Sequence, residues 1–344
     1  HSTAIPTSTT MNLNSPSPEA NHHIVAVEAI HCPIPTFAIP HKRTVHNWTN
    51  PSELSTRVKD ATIIITTTTR LNADILSPSK TPRLQLIVIL ASGTDCVDLD
   101  AARARDIPVC NCPGTNIDSV SEHAVGLYFA LRRKVVGLSG VVRGGDEWKK
   151  TGSLKDGMRM ADGGAPLLCS QEVVGIVGFG ALGARIGVLM RGLGMEVIVA
   201  ERRGVLEARA GRVLFEEALR RATVLVLCCP RTAETANMIS VAEFGIMDRR
   251  ALLINVARGG IVDEGALVEA LRAGEISGAG LDVFANEPVG RGDSALLEGE
   301  NDGLNLVLSP HLAWFAERTL ENLQAGVKRT VEEWFVGNTI NRVA

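Results

Sequence analysis

The sequence predicts an α/β protein with two units of parallel sheet. Three observations carry this: short apolar runs rich in β-branched residues recur in two series, helical patterns alternate with them, and a glycine-rich turn directly follows one run of the second series. Parallel strands are buried on both faces, so they read as continuous apolar runs, and they need helical crossovers between them. A chain of 344 residues also exceeds what one core fills. Domains cluster at roughly 100 to 200 residues, so two are expected.

The first 23 residues, HSTAIPTSTTMNLNSPSPEANHH, are rich in Ser, Thr and Pro and carry no apolar core. They are expected to be disordered, and they lack the pattern of a secretory signal. The first series of strands follows as IVAVEA (24 to 29), TIIITT (62 to 67), LQLIVIL (84 to 90) and IPVCN (107 to 111). Together these predict a small α/β unit. The stretch 119 to 138, SVSEHAVGLYFALRRKVVGL, has helical spacing and a serine start, and reads as one long helix joining the two units. It runs into the glycine-rich stretch up to Glu172, which is expected to be loop. The second series is VVGIVG (173 to 178), VIVA (197 to 200), TVLVLCC (223 to 229), ALLINV (251 to 256), GAGLDV (278 to 283) and NLVLS (305 to 309).

Composition removes several function classes. A formal charge of −3 gives no electrostatic case for nucleic acid or an anionic membrane surface. No window approaches the ~18 uninterrupted apolar residues of a membrane span. The seven cysteines are an odd number and sit mostly in apolar stretches. They read as reduced and structural, which points to a cytoplasmic protein. Cys110-x-Cys112 has the wrong spacing for a zinc knuckle and no second pair, so no metal is expected.

The stretch VGIVGFGALGARIGVLM places Gly178-x-Gly180-x-x-Gly183 between a strand and an amphipathic helix. Gly178 would make the tight turn, Gly180 would let the backbone approach a pyrophosphate, and Gly183 would let helix and strand pack closely. The pyrophosphate would meet the exposed N–H groups of the helix N-terminus. Ala181 and Leu182 inside the turn, Pro230 after the TVLVLCC strand and Ala257 after ALLINV are expected to touch the same cofactor. Glu201 closes the next strand, near the distance at which a ribose-binding acid is expected. Its carboxylate would accept ribose hydroxyls and repel a 2′-phosphate, which favours NAD. Arg202 and Arg203 follow directly and keep NADP open, since either guanidinium suits a phosphate.

Three further stretches put charged residues at strand ends, where open α/β sheets bind ligands. They are LLINVARGGIVDEGAL with Arg258, GLDVFANEP with Asp282 and Glu287, and LSPHLAW with His311. At these motifs the chain resembles the D-isomer-specific 2-hydroxyacid dehydrogenase family, in its glyoxylate/hydroxypyruvate reductase-like branch. The resemblance runs from about Thr62 to the C-terminus and is most specific at VGIVGFGALG, INVARGGIVDE, GLDVFANEP and SPHLAW.

The resemblance implies two Rossmann-like doubly wound domains, with the nucleotide-binding domain (118–314, including a dimerisation arm) inserted into a discontinuous substrate domain (24–117 and 315–344). It implies NAD(P)-dependent reduction of a small 2-keto acid to the D-2-hydroxyacid by a homodimer. Arg258 would bind the substrate carboxylate and polarise the carbonyl. His311 would be the general acid in reduction, and Glu287 would hydrogen-bond it and favour the imidazolium. Asp282 would hold the nicotinamide carboxamide, unless it only caps a turn. Ser92, Gly93 and Thr94 match the loop whose N–H groups hold the substrate carboxylate. Threonines occupy TTTTR where a phosphoglycerate-type enzyme would present arginine, which argues against a phosphorylated substrate despite nearby Arg70. Trp148 resembles a tryptophan projected from the arm into the partner's site, with a core anchor at a helix end as the alternative, and Trp314 would line the substrate pocket or simply pack. His123 reads as structural. The alternative is a dinucleotide-sensing, corepressor-like binding protein without relevant turnover.

Overall fold

The computed structural model describes residues 22 to 301 and 303 to 344. The disorder expected of the first residues lies outside these, apart from His22 and His23. Both belong to the first strand, which starts two residues earlier than IVAVEA suggests. His22 is buried, with its ring edge-on to Trp334 and Phe335 at 5.4 and 5.6 Å. The chain divides into two compact units, one holding the described residues up to Thr115 and Ala316–Ala344, the other Asn116–Phe315.

The first unit contains β1 (His22–Ala26), β2 (His41–Val45), α1 (Pro51–Val58), β3 (Ile63–Thr66), β4 (Leu86–Ile89), α2 (Leu99–Arg103) and β5 (Val109–Cys110). Its sheet runs β2-β1-β3-β4-β5, parallel throughout, the order of a doubly wound fold. The polar edge strand β2, HKRTV, escapes the apolar pattern because an edge of the sheet leaves it partly exposed. The Asn50/Glu53 capping box and Pro51 start α1. The C-terminal helix Glu317–Phe335 turns Leu323, Val327, Val331 and Trp334 inward, the three-and-four spacing of one helix face.

In the second unit the single helix expected over 119 to 138 is two, α3 (Ile117–Arg132) and α4 (Val135–Gly144). Lys134 lies between them at φ 45°, a left-handed residue that ends the first helix. The stretch expected to be loop also holds the end of α4, helix α5 (Glu147–Thr151) and two short 3₁₀ turns. Then follow β6 (Val173–Val177), α6 (Ala181–Gly192), β7 (Glu196–Val199), α7 (Phe215–Arg221), β8 (Val224–Leu227), α8 (Val241–Phe244), β9 (Leu252–Asn255), α9 (Glu264–Ala273), β10 (Gly278–Leu281) and β11 (Leu306–Leu308). The sheet order is β11-β10-β9-β8-β6-β7, again parallel. Nearly every residue of β8, β9 and β10 is fully buried, which explains their unbroken apolar runs.

Below the amino ends of β6 and β8 sits a buried ion pair. Arg132 and Glu172 are both fully buried, with Nε 2.6 Å from Oε1 and Nη2 donating to Oε2 at 2.9 Å. Arg132 also donates to the carbonyls of Arg250 and Thr223 at 2.9 and 3.0 Å, and Tyr128 Oη donates to Glu172 at 3.1 Å.

Candidate active site

Because all six strands of the second sheet are parallel, their carboxyl ends share one edge. Along it, from β11 to β7, come His311, then Asp282 and Glu287, Arg258, Pro230, the glycine turn and Glu201. Strand β6 sends its chain to β7 on one side while β8 lies on the other, so the glycine turn stands at the switch in strand order where such sheets bind ligands.

The three glycines have different reasons to be glycine. Gly178 has φ 91°, and a Cβ there would lie 2.6 Å from the Cys229 nitrogen. A Cβ on Gly183 would overlap the Gly178 carbonyl oxygen. Gly180 has an ordinary extended backbone, and a Cβ on it would meet nothing within 4 Å. Neither conformation nor packing accounts for it. It caps the 12-residue α6, and with the exposed Ala181 it leaves the first-turn N–H groups open to an anion. The turn therefore fits a dinucleotide pyrophosphate. Leu182 packs against the core, and Ala257 is buried with its N–H donated to Asn255 Oδ1 at 3.1 Å.

Glu201 is buried at the end of β7, but its carboxylate is engaged. Arg209 donates Nε to Oε1 at 2.6 Å and Nη2 to Oε2 at 2.8 Å, and Arg212 Nε lies 3.8 Å from Oε1. The Arg209 hydrogen bonds hold the Glu201 carboxyl down at about 2 against the opposing effect of burial. Arg203 is paired with Glu243 at 2.7 Å. Among the described residues the exposed Arg202 guanidinium has neither a hydrogen bond nor an ion pair.

At the other end of the edge, His311 Nδ1 lies 2.6 Å from Glu287 Oε2, and Glu287 Oε1 accepts the Phe284 N–H at 2.8 Å. The His311 side chain is 43% exposed. Its Nε2 has no partner among the described residues. Burial pushes the Glu287 carboxyl up, but the hydrogen bond and charge of His311, the Phe284 amide and the Arg258 charge outweigh it and hold it below its ordinary value. His311 itself adopts φ 53°, uncommon for a residue with a Cβ. Asp282 secures this turn: its carboxylate accepts Ser309 Oγ at 2.6 Å, Leu312 N at 3.1 Å and Ala313 N at 2.9 Å. That is the turn-capping alternative for Asp282. His123 joins the same cluster through Ser309 Oγ at 2.9 Å, a structural role. Trp314 Nε1 donates to the His311 carbonyl at 2.9 Å.

Arg258 is carried by the loop after β9, with Nη1 donating to the Ala257 carbonyl at 2.7 Å and its own carbonyl accepting Asn255 Nδ2 at 2.9 Å. The next residue, Gly259, packs so closely on the following loop that a Cβ would overlap the Phe284 carbonyl oxygen. The loops of Arg258 and Glu287 are thus locked face to face.

In the first unit, Ser92, Gly93 and Thr94 follow β4. Ser92 Oγ donates to the Cys112 carbonyl at 3.0 Å, and Asn111 Nδ2 donates to the Ser92 carbonyl at 2.8 Å. Trp148, on α5, is 57% exposed. Sequence reasoning did not single out Arg209, Ser309 or Glu264, whose carboxylate accepts Ala285 N at 2.7 Å beside Glu287. Nothing in their spacing marks them. Glu28, considered below, did carry a signal, since it closes an apolar strand just as Glu201 does. Among the described residues no group of three or more metal-ligating side chains occurs, and no helix is long and apolar enough to cross a membrane.

A glycine turn at the switch of a parallel sheet, with a histidine–carboxylate pair and an arginine on the same edge, defines a dinucleotide-dependent oxidoreductase. The family model for the NAD-binding domain of D-isomer specific 2-hydroxyacid dehydrogenases matches residues 125–313, and the chain belongs to that family. It is 36% identical to the glycerate dehydrogenase of Methylorubrum extorquens over 92% of this chain and 96% of that one. It is 34% identical to a putative 2-hydroxyacid dehydrogenase of Haemophilus influenzae over 88% and 94%. Among solved structures, the NADPH-dependent glyoxylate/hydroxypyruvate reductase of Sinorhizobium meliloti, in complex with NADP and malonate, superposes with a TM-score of 0.75 at 25% identity, covering 94% of this chain and 97% of that one. The family and its glyoxylate/hydroxypyruvate reductase-like branch agree with the motif reading, and the dinucleotide-sensing alternative finds no support among these relatives.

Proposed function

We propose that this NAD(P)-dependent enzyme reduces a small, unphosphorylated 2-keto acid of the glyoxylate or hydroxypyruvate type to its D-2-hydroxyacid. The observation that carries the reading is the 2.6 Å contact of His311 Nδ1 with Glu287, which leaves Nε2 available to exchange a proton. The bound cofactor supplies the hydride, and the glycine turn (Gly178, Gly180, Ala181, Leu182, Gly183) holds its pyrophosphate, with Pro230, Ala257 and Asp282 along the same edge. His311 Nε2 gives the proton to the carbonyl oxygen in reduction and takes it back in oxidation. Glu287, whose carboxyl is held below its ordinary value, stands against His311 as the carboxylate partner of the imidazolium. Arg258 pairs with the substrate carboxylate and polarises the carbonyl. The N–H groups of Ser92, Gly93 and Thr94 hold the same carboxylate, and Trp314 lines the substrate's side. Initial rates of glyoxylate and hydroxypyruvate reduction test this directly. Absence of turnover with every 2-keto acid offered would return the protein to the binding-protein class.

For the cofactor, the engagement of Glu201 by Arg209 favours NADPH over NADH, reversing the preference that Glu201 alone suggests. A carboxylate neutralised by a bidentate arginine repels a 2′-phosphate little, and Arg202 stands beside it without a partner among the described residues. Arg202→Ala is expected to raise the KM for NADPH about tenfold or more, the worth of one charge-assisted hydrogen bond, while leaving the KM for NADH unchanged. A wild type that prefers NADH at matched concentrations would mean that Glu201 releases Arg209 and takes the ribose.

A homodimer in the cytoplasm completes the reading. Helix α4, VVGLSGVVRG, has no buried residue, and Val135, Val136 and Val142 are each about half exposed. An apolar helix left uncovered asks for a second copy, with Trp148 carried toward it. Light scattering is expected to give twice the 36.7 kDa chain mass, and a stable monomer would remove the role given to Trp148.

A further inference from the structure

The carboxyl edge of the first sheet holds a buried acid with no part in the chemistry above. Glu28, just beyond β1, is 1% exposed. Its Oε1 accepts the N–H of Thr67 at 2.7 Å, of Thr69 at 2.5 Å and of Thr68, so three consecutive amides converge on one oxygen. Oε2 accepts the Thr68 hydroxyl at 2.7 Å, and His31 Nε2 lies 3.6 Å away. Burial alone would push this carboxyl up, yet the hydrogen bonds from His31 and the threonines hold it down at about 2. It is an anion at any working pH.

The tethered loop is coupled to its neighbour. Immediately after it, Leu71 N donates to the Cys96 carbonyl at 2.7 Å and Asp98 N donates to the Leu71 carbonyl at 2.9 Å, forming a parallel bridge between Leu71 and Val97. Residues 91 to 97 are held by this bridge at one end and, at the other, by the Ser92 bonds to Asn111 and Cys112 and the Cys112 N–H donated to the Ala91 carbonyl at 2.9 Å. Only the first depends on the threonine loop.

We propose that Glu28 is a positioning residue for the substrate: by fixing residues 67 to 71 it sets, through the Leu71–Val97 bridge, the N–H groups of Ser92, Gly93 and Thr94 on which the keto acid's carboxylate rests. The inference rests on the reading of that loop as the carboxylate holder. Removing the charge while keeping the shape loosens both loops without touching the dinucleotide turn, which belongs to the other unit.

The test is Glu28→Gln in the full-length enzyme, with Glu28→Ala as the stronger change that risks misfolding. Glu28→Gln is expected to raise the KM for glyoxylate or hydroxypyruvate about tenfold, leave kcat within about threefold and leave dinucleotide affinity as in wild type. Amide hydrogen exchange without substrate is expected to accelerate at 67 to 69 and also at 92 to 94. A KM within about twofold of wild type, or faster exchange confined to 67 to 69, overturns the proposal. A wild type that reduces no 2-keto acid overturns the reading of the site and the substrate role with it. The exchange pattern then separates that failure from a failure of the loop coupling.

Discussion

Replacing His311 by alanine is expected to lower kcat/KM for 2-keto acid reduction by about a thousandfold, with dinucleotide binding unchanged. General acid catalysis by a positioned side chain contributes roughly 10² to 10⁴, and the His311 ring is fixed by Glu287 through Nδ1 while its Nε2 has no partner among the described residues. Glu287→Gln is the informative companion. Its loss should be smaller, because the ring keeps its nitrogens but loses the charged partner that orients it. In the wild type, Glu287 has a folded value below its ordinary one, so its interaction is present above the carboxylate range and is lost only as pH falls through that depressed value. Any acid limb that Glu287 sets should accordingly fall below the ordinary carboxylate value. An unchanged kcat/KM in Glu287→Gln would show that the carboxylate does not act through His311, and an active His311→Ala would remove His311 from the chemistry altogether.

The largest stability effect is expected at the far end of the same sheet. Arg132→Met leaves Glu172 fully buried and charged without its guanidinium, and breaking such a pair costs about 3 to 5 kcal/mol. For a unit of this size that corresponds to a fall of roughly 10 °C in Tm. The Tyr128 and Thr223 hydroxyls still reach Glu172, so they soften the loss without supplying a countercharge. Pairing the change with Glu172→Leu should recover much of it, since an apolar pair needs no compensation. Thermal unfolding of the two single variants and the double variant checks this. Should Arg132→Met melt within about 2 °C of wild type, the pair contributes nothing net and the buried charge must relax to water.

The local patterns held up where a strand or turn is decided by its own residues. Strands β3, β4, β6 and β8 to β10 each lie within the apolar runs that signalled them, because a central parallel strand is apolar on both faces wherever it occurs, and the edge strands β7 and β11 overlap theirs. Strand β2 did not announce itself, since an edge position lets HKRTV stay polar. The break at Lys134 was equally silent: a left-handed lysine inside a helical pattern is a backbone choice with no residue signature. At the site, the motif residues stand where the strand ends put them, but their working partners are another matter. Glu201 closes its strand where a ribose acceptor is expected, but its spacing says nothing of Arg209, which eight residues on folds back onto both of its oxygens.

By itself the sequence determined the fold class, the glycine turn, the family, and which three strand ends bear Arg258, Asp282 with Glu287, and His311. These follow from periodicity and from short contiguous motifs, whose physics is local. Only the tertiary structure decided that Asp282 clamps the turn of His311, that Glu201 is neutralised, and that Glu28 gathers three threonine amides into the loop beside Ser92. Those facts depend on which side chains of distant segments meet in a desolvated space. A buried carboxylate takes whatever donors the fold brings within hydrogen-bond reach, and no spacing along the chain records which ones those are.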